Sequence, residues 1–207
     1  NFIIRGNISV YSISLFLTLF GFLAYHYSLV IIDGINGIFC SYVLCLFIIL
    51  LIFFKLDISI KSLLIYLIFI LLFIIFLNLR GNLFLGNSGS LMVATLVPYI
   101  LIYIYNDREN SFSVFSFISL TLIPILDMSR LFVTRIFNRK SPFTKDLNHF
   151  HHLLIKKFSL TSSLLIYSIL CFGPFLSISE FKFDPLFAVI LQITIFFSLI
   201  NFVKKLK

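Results

Sequence analysis

The stretch SLLIYLIFILLFIIFLNL, residues 62–79, decides the fold. It runs from Lys61 to Arg80 without one ionisable acid, base or histidine inside it. As helix it would measure about 27 Å, close to the roughly 30 Å hydrocarbon slab of a bilayer. Its residues do not alternate polar with apolar, as the strands of a transmembrane barrel must. Outward from it the pattern repeats. Apolar spans are expected at 8–32, 37–54, 62–79, 89–105, 112–131, 160–179 and 185–203. The chain of 207 residues is 60% hydrophobic and 12% charged, with 28 phenylalanines and a mean hydropathy of +1.12. A soluble domain of this size would need far more polar surface. The expected class is all-α: one polytopic transmembrane helical domain over 1–207, with about seven spans.

Seven spans alternate sides, so the breaks fall into two sets. One side receives residues 33–37, 80–90, 132–159 and the C-terminal tail. With Arg130 counted beside the island it abuts, that side holds 11 of the 16 basic residues. The positive-inside rule makes it cytoplasmic. The net charge of +8 is mostly this asymmetry, and it favours anionic lipid heads or anionic substrates over nucleic acid. Cys40, Cys45 and Cys171 lie inside apolar runs without ligand spacing and read as small core residues. The chain begins with Asn and enters an apolar run at once, without the layout of a signal peptide. It reads as a piece of a longer protein whose first spans are missing.

All the chemistry-bearing motifs fall on the basic side. The first is DGINGI, residues 33–38. A carboxylate at the end of an apolar span is costly unless it is paired or bound to a cation; the plain alternative is a re-entry turn with an exposed Asp33. His26, seven residues earlier on the same helix face, reads as a satisfied interior histidine. The second is RGNLFLGNSGS, residues 80–90, a glycine-rich loop that opens a helix, and a helix N-terminus attracts phosphate. Gly81 and Gly86 are spaced as in a nucleotide P-loop, but Asn87 stands where the lysine belongs and no strand precedes it. A flexible connector is its plain reading.

The third motif is Asp127, Arg130 and Arg135, followed by the island SPFTKDLNHFHHLLIKK, residues 141–157. Asp127 and Arg130 at i, i+3 form either a structural ion pair or part of a site. On a helix, HxHH would set His149 and His152 on one face and turn His151 aside. Zinc is one reading of three histidines. Imidazoles beside five cations suit a diphosphate better, because they donate hydrogen bonds to phosphate oxygens and move protons.

DGINGI, FLGNSGSL at 84–91 and SPFTKDLNHFHHLL at 141–154, in this order and on one face, resemble the polyprenyl-phosphate N-acetylhexosamine-1-phosphate transferases, the family of MraY and WecA. The resemblance runs over nearly the whole chain, and the SPF…D…HxHH block is closer to the WecA branch. It implies a ten- to eleven-helix fold of which this is the C-terminal part, multi-pass in the bacterial inner membrane, with a cytoplasmic site. The implied reaction moves a sugar-1-phosphate from a UDP-amino-sugar to undecaprenyl phosphate and releases UMP, with Mg²⁺ as cofactor. The implied partners are a UDP-sugar, a polyprenyl phosphate lipid and the membrane, with no nucleic acid; a homodimer is compatible with it. By the same resemblance, Asp33, His149, His151 and His152 are catalytic and Asp33 with Asn87 binds metal. Asn36, Phe84, Gly86, Ser88, Gly89, Arg135, Ser141 and Asp146 bind substrate. Four departures stand out. The family's paired aspartates from an earlier helix are absent, Asn87 replaces its metal-binding Asp, Val30 replaces a common Asn, and Leu147 replaces an Arg. Asparagine offers a single neutral oxygen, so weaker Mg²⁺ binding is expected. A catalytically silent relative is the second reading and a transporter the third.

Overall fold

The computed structural model describes residues 8–35, 37–83, 85–107, 110, 112–141 and 147–206, with side chains from Ser12 onward. It contains eight helices among these residues: α1 (Ile8–Ile32), α2 (Ile38–Phe53), α3 (Ile58–Leu79), α4 (Gly86–Asn106), α5 (Val114–Phe137), α6 (Phe150–Ile155), α7 (Leu160–Phe181) and α8 (Pro185–Lys205). Each of the seven long helices overlaps one of the seven expected spans. The protein is an all-α polytopic membrane protein. Six of its helices are long and apolar enough to cross a bilayer.

Helix α2 is the exception in length, at 16 residues or roughly 24 Å. It is also the best enclosed, with Phe39, Tyr42, Val43, Leu46, Phe47 and Leu50 all buried. Helix α3 is its opposite. It packs chiefly against α2 and turns Tyr66, Phe69, Ile70, Leu72, Phe73 and Phe76 outward. Large apolar side chains facing outward in such numbers are tolerable only where the solvent is lipid. Around α2 the remaining helices close a bundle in which α1 packs on α4 and α5, while α5, α7 and α8 pack on one another.

Polar pins hold the interior in register. The Tyr25 and Tyr42 hydroxyls lie 2.7 Å apart, and Tyr42 donates to the Leu120 carbonyl at 2.8 Å, so α1, α2 and α5 meet at one point. The Gln192 amide of α8 donates to the Ser119 carbonyl of α5 and the Leu170 carbonyl of α7, each at 3.0 Å. Side-chain caps start several helices: Asp57 accepts from Ile60 N at the head of α3, and Ser159 accepts from Ser162 N at the head of α7.

Sequence and structure part at α5. The expected span stops at 131, but the helix continues to Phe137, so Arg135 rides on the helix rather than on a loop. It ends where Arg139 adopts a positive φ of 54°. The island likewise does not lie wholly outside the bundle. Asp127, ten residues or roughly 15 Å before the end of α5, bonds the backbone at Phe150, so the chain doubles back and seats α6 against α7 and α8. Phe150 is wholly buried, edge-on to Phe196 at 5.4 Å.

The two ends of the bundle are tied separately. At one end Asn110 pairs reciprocally with the backbone of Lys55, and Tyr103 donates to Asp57 at 2.6 Å. The motif-bearing breaks gather at the other.

The tyrosine pin gives a test. Tyr42→Phe strands the Tyr25 hydroxyl and removes the tie to Leu120, so it should lower stability by roughly 1 kcal/mol. Tyr25→Phe should cost less, because Tyr42 keeps its carbonyl. The double variant should lose less than the sum of the two, read from unfolding midpoints in detergent.

Candidate functional site

Asp33 follows the last residue of α1, and two glycines let the chain turn directly into α2. Gly37 has a φ of 88°, a conformation that penalises any L side chain. A Cβ there would also fall 2.6 Å from Leu79 Cδ2. The turn is stapled to the next loop by Asn78, a buried residue on the last turn of α3. Gly37 N donates to Asn78 Oδ1 at 2.5 Å, and Asn78 Nδ2 donates to the Leu83 carbonyl at 2.7 Å. Motif reading passed over Asn78. The signal was there, as a lone amide near the end of an 18-residue apolar run.

The glycine-rich loop closes on the same turn. Gly86, with a φ of 67°, begins α4. One turn later the Ser90 hydroxyl lies between the Asp33 carboxylate and the Gly86 carbonyl, and hydrogen bonds to both. Asp33, Gly34, Ile35, Asn78, Leu85, Gly86 and Asn87 line a cleft of about 210 Å³. Half-burial pushes the Asp33 carboxyl above the ordinary carboxylate range, and the Ser90 hydroxyl partly offsets this.

The histidines reach this cleft from behind. His149 is not on a helix face shared with His152; it is the extended residue before α6, with φ −61° and ψ 149°. Its ring stacks on that of His151 at 5.6 Å, and His151 packs on His152 at 4.5 Å. The three rings form one row, and His151 lies at its centre rather than turned aside. The reason is the anchor at the near end: Asp127 Oδ2 accepts from His149 Nδ1 at 3.0 Å, which fixes the first ring before helical periodicity begins. At the far end stands Gly34. A Cβ on it would fall 3.1 Å from His152 Nε2 and 3.6 Å from His151 Nε2, so only glycine lets the turn approach the row this closely.

His151 is fully buried, and neither ring nitrogen has a partner among the described residues. Buried imidazole nitrogens without partners cost about 1–3 kcal/mol each and call for explanation. Burial, reinforced by the charge of His152, pushes its pKa down to about 3. Asp127, which the sequence left between a structural pair and a site role, makes the pair and further contacts beside it. It pairs with Arg130 at 2.8 Å and holds His149 and Phe150 N.

Asp33, Gly86 and Asn87 therefore share one cleft, with the histidine row behind Gly34. Ser88 and Gly89 stand beside the cleft in the first turn of α4. Arg135 is in the last turn of α5 and Ser141 follows that helix at the same end of the bundle. Asn36, Phe84 and Asp146 lie outside the described residues.

Fold and site together define a multi-pass helical membrane protein whose polar chemistry is concentrated at one end. Comparison with known proteins finds partial likenesses. The chain is 29% identical over 80 residues to the undecaprenyl-phosphate alpha-N-acetylglucosaminyl 1-phosphate transferases of Salmonella typhi and Escherichia coli K12. It is 27% identical over 88 residues to the enzyme of that name from Yersinia pestis. These matches take in 39–42% of this chain and 22–24% of the relatives' length. No family model and no solved structure matches the chain.

The burial of His151 sets a pH dependence. An unfolded chain binds a proton at this imidazole near its ordinary pKa of 6.5, whereas the folded chain refuses it until about 3. The contribution to stability is thus complete above about pH 6.5 and declines as pH falls through that window. Thermal unfolding followed from about pH 8 down to about pH 4 should show this decline, and His151→Gln should flatten it.

Proposed function

We propose that the protein transfers a sugar-1-phosphate, N-acetylglucosamine-1-phosphate in the first instance, from a UDP-sugar to undecaprenyl phosphate and releases UMP. The reaction takes place at the cytoplasmic face of the bacterial inner membrane and feeds synthesis of a cell-envelope polysaccharide. The observation that carries this reading is the contact of the Asp33–Gly34 turn with the His151–His152 pair, while Ser90 ties the same turn to the glycine-rich loop. Motifs separated by more than fifty residues close around one small polar cleft at one end of an apolar bundle. The relatives' names supply the lipid acceptor and the sugar phosphate.

The geometry suits phosphoryl transfer, which asks for positioning and charge neutralisation more than covalent work by the protein. An oxygen of the lipid phosphate bonds to the phosphorus that bears the sugar, and the bond from that phosphorus to UMP breaks, its electron pair leaving with UMP. The Gly86 turn and the head of α4 present backbone N–H groups to an anion. The histidine row meets the same turn at Gly34 and would act on the diphosphate from there.

Mg²⁺, implied by the family, would neutralise developing charge on the diphosphate. The donors fit it in outline: Asp33 gives a carboxylate and Asn87 one neutral oxygen on the same cleft. Mg²⁺ commonly takes one or two protein carboxylates and fills its octahedron with phosphate oxygens and water. Asn87 also favours a second reading, a relative that keeps the fold and lipid contacts without efficient metal chemistry.

Membranes containing the protein should release UMP from UDP-N-acetylglucosamine only when Mg²⁺ and undecaprenyl phosphate are both present. Asp33→Asn and His151→Ala should each reduce turnover on the order of 10²-fold or more without loss of folded protein. Asn87→Asp should lower the Mg²⁺ concentration at half-maximal rate. Absence of UMP release with any UDP-sugar would favour the silent relative.

A further inference from the structure

Asp127 is almost wholly enclosed, and both of its carboxylate oxygens are hydrogen bonded. Its Oδ1 accepts from Arg130 at 2.8 Å. Its Oδ2 accepts from His149 Nδ1 at 3.0 Å. Phe150 N lies 3.1 and 3.0 Å from the two oxygens. Arg130 in turn donates to the Asn148 carbonyl at 2.7 Å, so the residue before the first histidine is also fixed. An ion pair alone would need only the arginine. Here the carboxylate faces three donors, and one of them is an imidazole.

That arrangement carries a chemical consequence. A carboxylate can only accept, so the nitrogen of His149 that faces it must carry the hydrogen. The other nitrogen, Nε2, is then left to serve whatever meets the histidine row. We propose that Asp127 is a positioning residue: it holds His149 with Nδ1 protonated, so that Nε2 keeps its lone pair and can accept a proton, a role that an Nε2–H tautomer cannot fill. It also balances the positive charge that His149 acquires when it is doubly protonated beside an anion. The same logic sets the tautomer of histidine in carboxylate–histidine pairs generally. The bearing on turnover rests on the transfer reaction proposed above; the bearing on the imidazole does not.

Asp127→Asn separates this role from simple packing. The asparagine oxygen must go to Arg130 and Phe150 N, which can only donate. Its NH₂ group is then turned toward His149 Nδ1, which becomes an acceptor, and the ring hydrogen moves to Nε2. The shape of the site is nearly unchanged while the tautomer reverses.

The test uses the full chain in lipid nanodiscs with ¹⁵N-labelled histidine, the His149 signals being assigned by their loss in His149→Gln. In the wild type, Nδ1 of His149 should be the protonated nitrogen. In Asp127→Asn, Nε2 should carry the hydrogen and Nδ1 should not, and kcat/KM for UDP-N-acetylglucosamine should fall on the order of 10²-fold. The Mg²⁺ concentration at half-maximal rate should stay unchanged. Because the single variant leaves Arg130 buried beside a neutral partner, Asp127→Asn with Arg130→Gln serves as the second variant. An unprotonated Nδ1 in the wild type, or His149 nitrogens unaltered in the variants, overturns the proposal. A reversed tautomer with kcat/KM within about twofold of wild type overturns its catalytic part. If the wild type transfers no sugar phosphate at all, the transfer reading falls, and the nitrogen signals alone decide the link between Asp127 and His149.

Discussion

A carboxylate buried ten residues inside an apolar helix governs how the polar end of this protein is built. Left alone, Asp127 would face a desolvation cost of several kcal/mol. It is relieved only if donors come to it, and α5 itself supplies one, Arg130, from the next turn. The others must come from elsewhere, and the chain provides them by folding back after Ser141 and laying Asn148, His149 and Phe150 against α5. Phe150 then finds its place among Tyr167 and Phe196. A single electrostatic requirement thus converts a hydrophilic stretch into a re-entrant helix. Removal of one partner from such a buried arrangement typically costs about 3–5 kcal/mol, so the doubling back is firmly held.

From that anchor the site is a sequence of contacts across the end of the bundle. His149 leads to His151 through stacked rings and His151 to His152 through tilted ones. His152 meets Gly34, Asp33 meets Ser90, and Gly37 meets Asn78. Each link joins a different pair of elements, and two depend on a residue without a side chain. The arrangement is hydrogen bonded at Asp127, Asp33 and Asn78 and under-satisfied at the two ring nitrogens of His151. Such local inconsistency in a well-packed interior marks a place shaped for something other than stability.

Much of this could be read from residues alone. The apolar helices follow from the bilayer's thickness, six of the seven being long enough to cross it, and α1 and α2 match the expected limits almost to the residue. The meeting of Asp33, the glycine-rich loop and the histidines was expected from sidedness. What could not be read was depth. Arg135 falls in an expected break because charge usually ends a span, whereas α5 runs on to Phe137. The row of imidazoles was misread because helical spacing was assumed from the first histidine, which stands outside the helix. Asn78 was overlooked because one amide in an apolar run resembles noise until its two bonds are seen.

The separation of the site's parts along the chain has a temporal meaning. Residue 33 emerges from the ribosome well before residue 152, a lag of many seconds at ordinary rates of synthesis. Throughout that interval the Asp-Gly turn stands without the histidine row that meets it at Gly34. The row can settle only once Phe150 has both Tyr167 and Phe196 to lie against, which requires the last helical hairpin to be in place. The junction of turn and histidines is therefore a late product of biogenesis, completed by the closing hairpin, and a chain interrupted before α8 would hold the cleft without the histidines against it.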